Sequence, residues 1–199
     1  MEKRRTTKRI DLTEGPILQT LVKLAVPVTI SMVLFTVYLL VDIYFVGRLG
    51  SDAVAALSIS SNAFFIHLGF STILGTGGMA LIAQAFGRKD YNQASQVFKQ
   101  SLLMALVIGS VEAVTGLLIA PFYIKFFGGG GKSLEWGIQY FQIFSISFLF
   151  MIFLYVIGNC YRGMGDTRIP MIIMLQGNIL NMVLDPLLIF GWLGLPALG

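Results

Sequence analysis

Five runs of apolar residues, each long enough to cross a bilayer as a helix, leave this chain few folds to choose from. They span residues 17–46, 53–86, 93–127, 133–161 and 168–193. A helix needs about 20 apolar residues to cross the hydrocarbon core. Backbone amides in hydrocarbon must be satisfied within the segment, so an isolated apolar run of this length crosses as a helix. Every run exceeds the minimum, which predicts tilt, kinks or interfacial ends. The expected fold is an all-α integral membrane bundle of five spans. At 56% hydrophobic and 12% charged residues, the composition excludes an ordinary soluble domain. Residues 1–15, MEKRRTTKRIDLTEG, form a basic polar tail. They lack a short apolar core with a small-residue cleavage site, so they read as a cytoplasmic tail and not as a cleaved signal. Residues 16–199 read as one transmembrane lobe.

The net charge of +4 invites a nucleic-acid reading, which the distribution of charge rejects. Lys3, Arg4, Arg5, Lys8 and Arg9 precede the first run. Arg88, Lys89 and Lys99 flank the second turn, and Arg162 and Arg168 the fourth. If the spans alternate, these segments share one face, and the opposite face carries only Arg48, Lys125 and Lys132. Positive residues gather on the cytoplasmic side. The expectation is a multi-pass protein of the cell membrane with a cytoplasmic N-terminus. Lone Cys160 excludes an internal disulfide and a cysteine-ligated metal. With a single His as well, a zinc site is not expected, and no cofactor is.

Two spans carry carboxylates. Asp42 lies a few residues before Gly47 near the outer end of the first, and Asp185 a few residues before Gly191 near the outer end of the fifth. Both runs point outward, so the two acids sit at matched depth in the outer half. Tyr140, early in the inward fourth span, falls at that depth too. An intramembrane carboxylate costs about 2.5–3.5 kcal/mol to insert, and by default it marks an ion or proton path. A coupled transporter, not an enzyme, follows from the pair. Asn178, Asn181 and Asp185 share one side of the fifth span, and Tyr38 and Asp42 are one turn apart on the first. Asn amides can donate to a carboxylate and bias its protonation. Pro27 and Pro186 interrupt the same two spans, and proline is the leading cause of helix kinks. They are the expected hinges.

Other features carry blander expectations. Gly69, Gly75, Gly77 and Gly78 in the second span suit close helix approach. Gly128 to Gly131 read as a flexible outer loop. His67 reads as a packing residue, and Glu112 as an intramembrane acid with no polar partner at helical spacing. Phe35, Phe64, Phe65, Phe70 and Met79 read as lipid-facing or core residues, with lining of a drug pocket the less common fate.

The loops and span ends carry a resemblance. The fourth turn reads Tyr161-Arg162-Gly163-Met164-Gly165-Asp166-Thr167-Arg168-Ile169-Pro170. The first span contains Leu24-Ala25-Val26-Pro27 and ends Val41-Asp42-Ile43-Tyr44-Phe45-Val46-Gly47-Arg48-Leu49-Gly50. The second ends Ala83-Gln84-Ala85-Phe86-Gly87-Arg88-Lys89-Asp90. The fifth carries Asn181-Met182-Val183-Leu184-Asp185-Pro186-Leu187-Leu188-Ile189-Phe190-Gly191. In order and spacing these resemble the multidrug and toxic compound extrusion (MATE) family from about residue 12 onward.

The resemblance implies a twelve-helix transporter of two six-helix lobes that expels organic cations and other drugs in exchange for protons or sodium. Asp42, Asn181 and Asp185 fall on the pattern of the prokaryotic damage-inducible branch, with Tyr140 in the same cluster and Pro27 where the first helix bends. The ion-coupling set is then Asp42, Asp185, Asn181 and Tyr140. The substrate pocket adds Tyr38 and Asn178, and a sodium ion would use Asp42, Asn178, Asn181 and Asp185. Proton coupling is favoured over sodium. By the same resemblance the chain reads as the ion-coupling N-terminal lobe, ending before the sixth helix, with drugs, the lipid bilayer and a C-terminal lobe as partners. A lipid-linked oligosaccharide flippase of the same superfamily is the alternative. A remote one is an intramembrane aspartyl protease, on Gly163-Met164-Gly165-Asp166 and Pro196-Ala197-Leu198. It needs paired intramembrane acids sharing a proton, and Asp166 sits in a turn.

Overall fold

The computed structural model describes residues 16–128 and 130–191. The basic tail, the end of the fifth apolar run and Pro196 to Leu198 lie outside the described residues. Five helices account for nearly all of what is described: α1 Ile17–Gly47, α2 Ser51–Gly87, α3 Tyr91–Phe126, α4 Gly131–Gly163 and α5 Arg168–Phe190. Each is long and apolar enough to cross a membrane. The connections are a few residues long, so successive helices run antiparallel. Asp90 caps α3 by accepting from the Gln93 amide at 2.9 Å. Asp166 Oδ1 accepts from the Arg168 and Ile169 amides at 3.0 and 3.2 Å and so caps α5. That spends one oxygen of the GxGD acid on a turn, the role a surface Asp fills before a helix. α5 ends on Gly191, held at φ 68° in the left-handed region that glycine enters freely.

The helices do not pack evenly. α2, α3 and α4 bury large shared surfaces, α1 lies mainly on α5, and this pair touches α2 and α4 only lightly. Both apolar clusters belong to the three-helix unit. One joins Ala63, Ala120, Ile124, Phe141 and Phe148, the other Ile82, Ala105, Ile152, Val156 and Cys160. On α1, by contrast, only Pro27 and Ser31 are buried. Lipid tails are as apolar as Leu, so helix association here rests on close packing rather than on the hydrophobic effect. Small residues supply it. Gly75 meets Tyr155 and Asn159, Gly78 meets Ser101 and Cys160, and Gly116 meets Ser145. Gly69 and Gly77 have nothing within 4 Å of a Cβ position. They face away from the interface, and the expectation of close approach fails for these two. The outward faces stay apolar, with Val107, Val111, Leu118 and Phe122 of α3 exposed.

α1 stays helical through Pro27 and α5 through Pro186. The Ser31 hydroxyl donates to the Pro27 carbonyl at 2.9 Å, supporting the turn that follows the proline.

The closest approach of a glycine to another helix's backbone joins α4 to α2 at one end of the bundle. A Cβ on Gly163 would stand 2.6 Å from the backbone oxygen of Met79. Backbone cannot move aside as a side chain can. Gly163→Ala is therefore expected to lower stability by about 1–3 kcal/mol, and Gly77→Ala to leave it unchanged. Thermal unfolding of the two variants in the same detergent checks this, and equal midpoints would contradict it.

Candidate functional site

The outer ends of α1 and α5 place the two intramembrane aspartates in one neighbourhood. Asp42 and Asp185 interact electrostatically across the α1–α5 seam. Tyr38 interacts with both acids, and Tyr140 of α4 with Asp42 and with Tyr38. Three helices thus bring two carboxylates and two phenols within electrostatic range of one another. Burial is partial: Asp42, Tyr140, Asn181 and Asp185 are half-buried, and Tyr38 is exposed.

The α5 side is the best defined. The Asn181 amide nitrogen donates to Asp185 Oδ1 at 2.8 Å, one helical turn away. Asn178 is buried, and its amide nitrogen is taken by its own helix, donating to the Met174 carbonyl at 2.9 Å. Three buried oxygens on this side, Asn178 Oδ1, Asn181 Oδ1 and Asp185 Oδ2, accept no hydrogen bond among the described residues. A buried acceptor left unpaired costs roughly 1–3 kcal/mol. All three oxygens are hard acceptors suited to a proton, an ammonium group or a small cation. Of the residues proposed from sequence, Asp42, Asp185, Asn181, Tyr140 and Tyr38 come together. Asn178 lies on the same side of α5, with its nitrogen already committed.

A second polar cluster lies inside the three-helix unit. His67 Nδ1 of α2 and Glu112 Oε2 of α3 are 2.8 Å apart, with side chains 4% and 13% exposed. Ser71 Oγ stands 3.2 Å from His67 Nε2. The imidazole stacks on Phe148 of α4, with centroids 4.4 Å apart and planes 6° from parallel. Glu112 thus has no polar partner at helical spacing on its own helix, as read from the sequence, but it does have one across the bundle. The partner sits 45 residues away on another helix, where spacing along α3 cannot reveal it. His67 does pack, as expected, but as one member of a buried acid–base pair. An aromatic ladder on α4 runs between the two clusters. Tyr140 stacks near Phe144, and Phe144 meets Phe148 edge to face.

Phe64 packs into the core beside Phe144. Phe65 and Phe70 are exposed, and Phe35 is half-buried. Met79 lines a cavity distant in sequence from the aspartates.

Known proteins resemble this chain in sequence and in fold. The chain is 31% identical over 179 residues to the multidrug export protein MepA of Staphylococcus haemolyticus, covering 89% of this chain and 40% of that protein. It is 33% identical over 177 residues to the probable multidrug resistance protein YoeA of Bacillus subtilis, covering 87% and 38%. A solved structure of a MOP superfamily transporter from Pyrococcus furiosus superposes with a TM-score of 0.87 at 29% identity, covering 96% of this chain and 42% of that one. The chain thus spans about 40% of the length of the curated relatives it matches. Residues 27–187, which hold both aspartates, both phenols and both prolines of the site, match the MatE family model, and the chain belongs to that family.

Proposed function

We propose that this chain is the ion-coupling lobe of a multidrug efflux antiporter working by alternating access. The meeting of Asp42 and Asp185, from helices far apart in sequence, carries the reading. Two carboxylates in a low-dielectric setting favour a cation strongly. Organic cations are therefore the expected drugs, and a proton or sodium ion the expected competitor. Tyr38 and Tyr140 supply aromatic walls that suit a flat cationic drug. The multidrug relatives MepA and YoeA support drugs as the cargo.

The uneven packing supports the mechanism. α2, α3 and α4 form a fixed frame, and α1 with α5 forms a lightly attached pair. Binding of the coupling ion between Asp42 and Asp185 removes the negative charge that holds the drug. The α1–α5 pair then repacks against the frame, with Pro27 and Pro186 as hinge points. Alternating access also needs a second lobe to rock against, which the remaining length of the relatives would supply. The transporter would lie in the cell membrane with the N-terminus in the cytoplasm.

The test is efflux of a fluorescent organic cation from vesicles holding the full-length protein, driven by a proton gradient or by a sodium gradient alone. Proton-driven efflux is the expected result. Efflux driven only by sodium would assign the coupling role to a sodium ion held by the oxygens of Asp42, Asn178, Asn181 and Asp185. No efflux under either gradient would refute the reading.

A further inference from the structure

At the opposite end of the lobe from the aspartates, a cavity of about 720 Å³ opens between α1, Met79 of α2, the last turn of α4 and the turn that follows it. Leu21, Leu24 and Val28 form its α1 wall, and Met79, Arg162 and Thr167 its far side. The wall from Ile17 to Met32 is apolar apart from Thr20 and Thr29. At 1.5 Å per residue it is about 22 Å long, somewhat more than one leaflet of hydrocarbon. The cavity holds no carboxylate among its described lining residues. Its one charge is Arg162, in the last turn of α4.

Arg162 is poorly compensated. Its Nε is buried without a hydrogen-bond partner among the described residues. Its Nη1 reaches Asn159 Oδ1 only at 3.5 Å. Asp166, four residues on, turns Oδ1 to the start of α5 instead. A guanidinium offers five donors in a planar fork that matches a phosphate. An apolar groove somewhat more than one leaflet long, ending in a guanidinium that has no acidic partner among the described residues, has the chemistry of a phospholipid site.

We infer that this groove binds one anionic phospholipid of the leaflet next to the start of α1. The phosphate engages Arg162, and an acyl chain lies along Leu21, Leu24 and Val28. The site is separate from the aspartates. It would brace the lightly attached α1–α5 pair against the frame from the membrane side.

The experiment uses the full-length protein in nanodiscs that contain a phosphatidylglycerol or a phosphatidylcholine with the same photoreactive acyl chain. Labelled peptides are then mapped by mass spectrometry. Labelling of the α1 peptide holding Leu21 to Val28 should be about fivefold stronger from phosphatidylglycerol, the worth of one interfacial charge. Arg162→Gln should remove that preference, and Leu24→Trp, which fills the groove and keeps the charge, should remove labelling by both lipids. Equal labelling in the wild type, or an unchanged preference in Arg162→Gln, would overturn the inference. So would absence of α1 labelling, since the protein's own further helices would then cover the groove.

Discussion

Asp42→Asn and Asp185→Asn, made singly in the full-length protein, are each expected to reduce ion-driven efflux about 5–150-fold, the range of a lost coupling between two ligands. Both acids lie on the same seam, interact with each other and with Tyr38, and are the groups through which an ion and a cationic drug would compete. Asparagine keeps the shape and removes the charge. Insertion should not suffer, because removing an intramembrane charge relieves a cost of about 2.5–3.5 kcal/mol. Efflux per inserted molecule, with membrane content measured alongside, is the readout. Wild-type efflux from either variant would remove that residue from the mechanism.

The second large effect is expected in the three-helix frame. His67→Leu leaves Glu112 buried with neither oxygen partnered, since Oε1 already accepts nothing among the described residues. Breaking a buried pair from one side costs about 3–5 kcal/mol, whereas replacing both partners by apolar groups is often close to neutral. His67→Leu should therefore unfold at a clearly lower temperature than wild type. The His67→Leu, Glu112→Leu double variant should recover most of the loss. If the double variant is as unstable as the single one, the pair holds the frame by packing alone, with Phe148 stacking as the main contact.

The sequence reveals features that lie within one helix more readily than features between helices. Length and apolarity announce the spans, because a bilayer sets a single length requirement. Asp42 and Asp185 stand out because a carboxylate in an apolar run is rare and costly. Matched depth makes their proximity possible, and the packing of α1 on α5 brings it about. The Asn181 to Asp185 hydrogen bond follows from helical spacing alone. His67 and Glu112 escape the same reasoning, since their pairing depends on how α2 and α3 rotate against each other. The glycines show the same limit. Gly75 and Gly78 turn inward and Gly69 and Gly77 outward, a distinction of helix phase that composition does not carry. The groove at Arg162 is less legible still, because three segments far apart in sequence build it.

The central claim is that Asp42 and Asp185 form one site contested by ion and drug. Binding of a permanently charged organic cation to the full-length protein, measured from neutral to acidic pH, tests it most directly. A fixed charge on the drug confines titration to the protein. Protonation cancels the negative charge that attracts the drug, so affinity should fall on acidification in the wild type. It should be weak and flat in the Asp42→Asn, Asp185→Asn double variant. An affinity that stays constant with pH in the wild type would contradict the account.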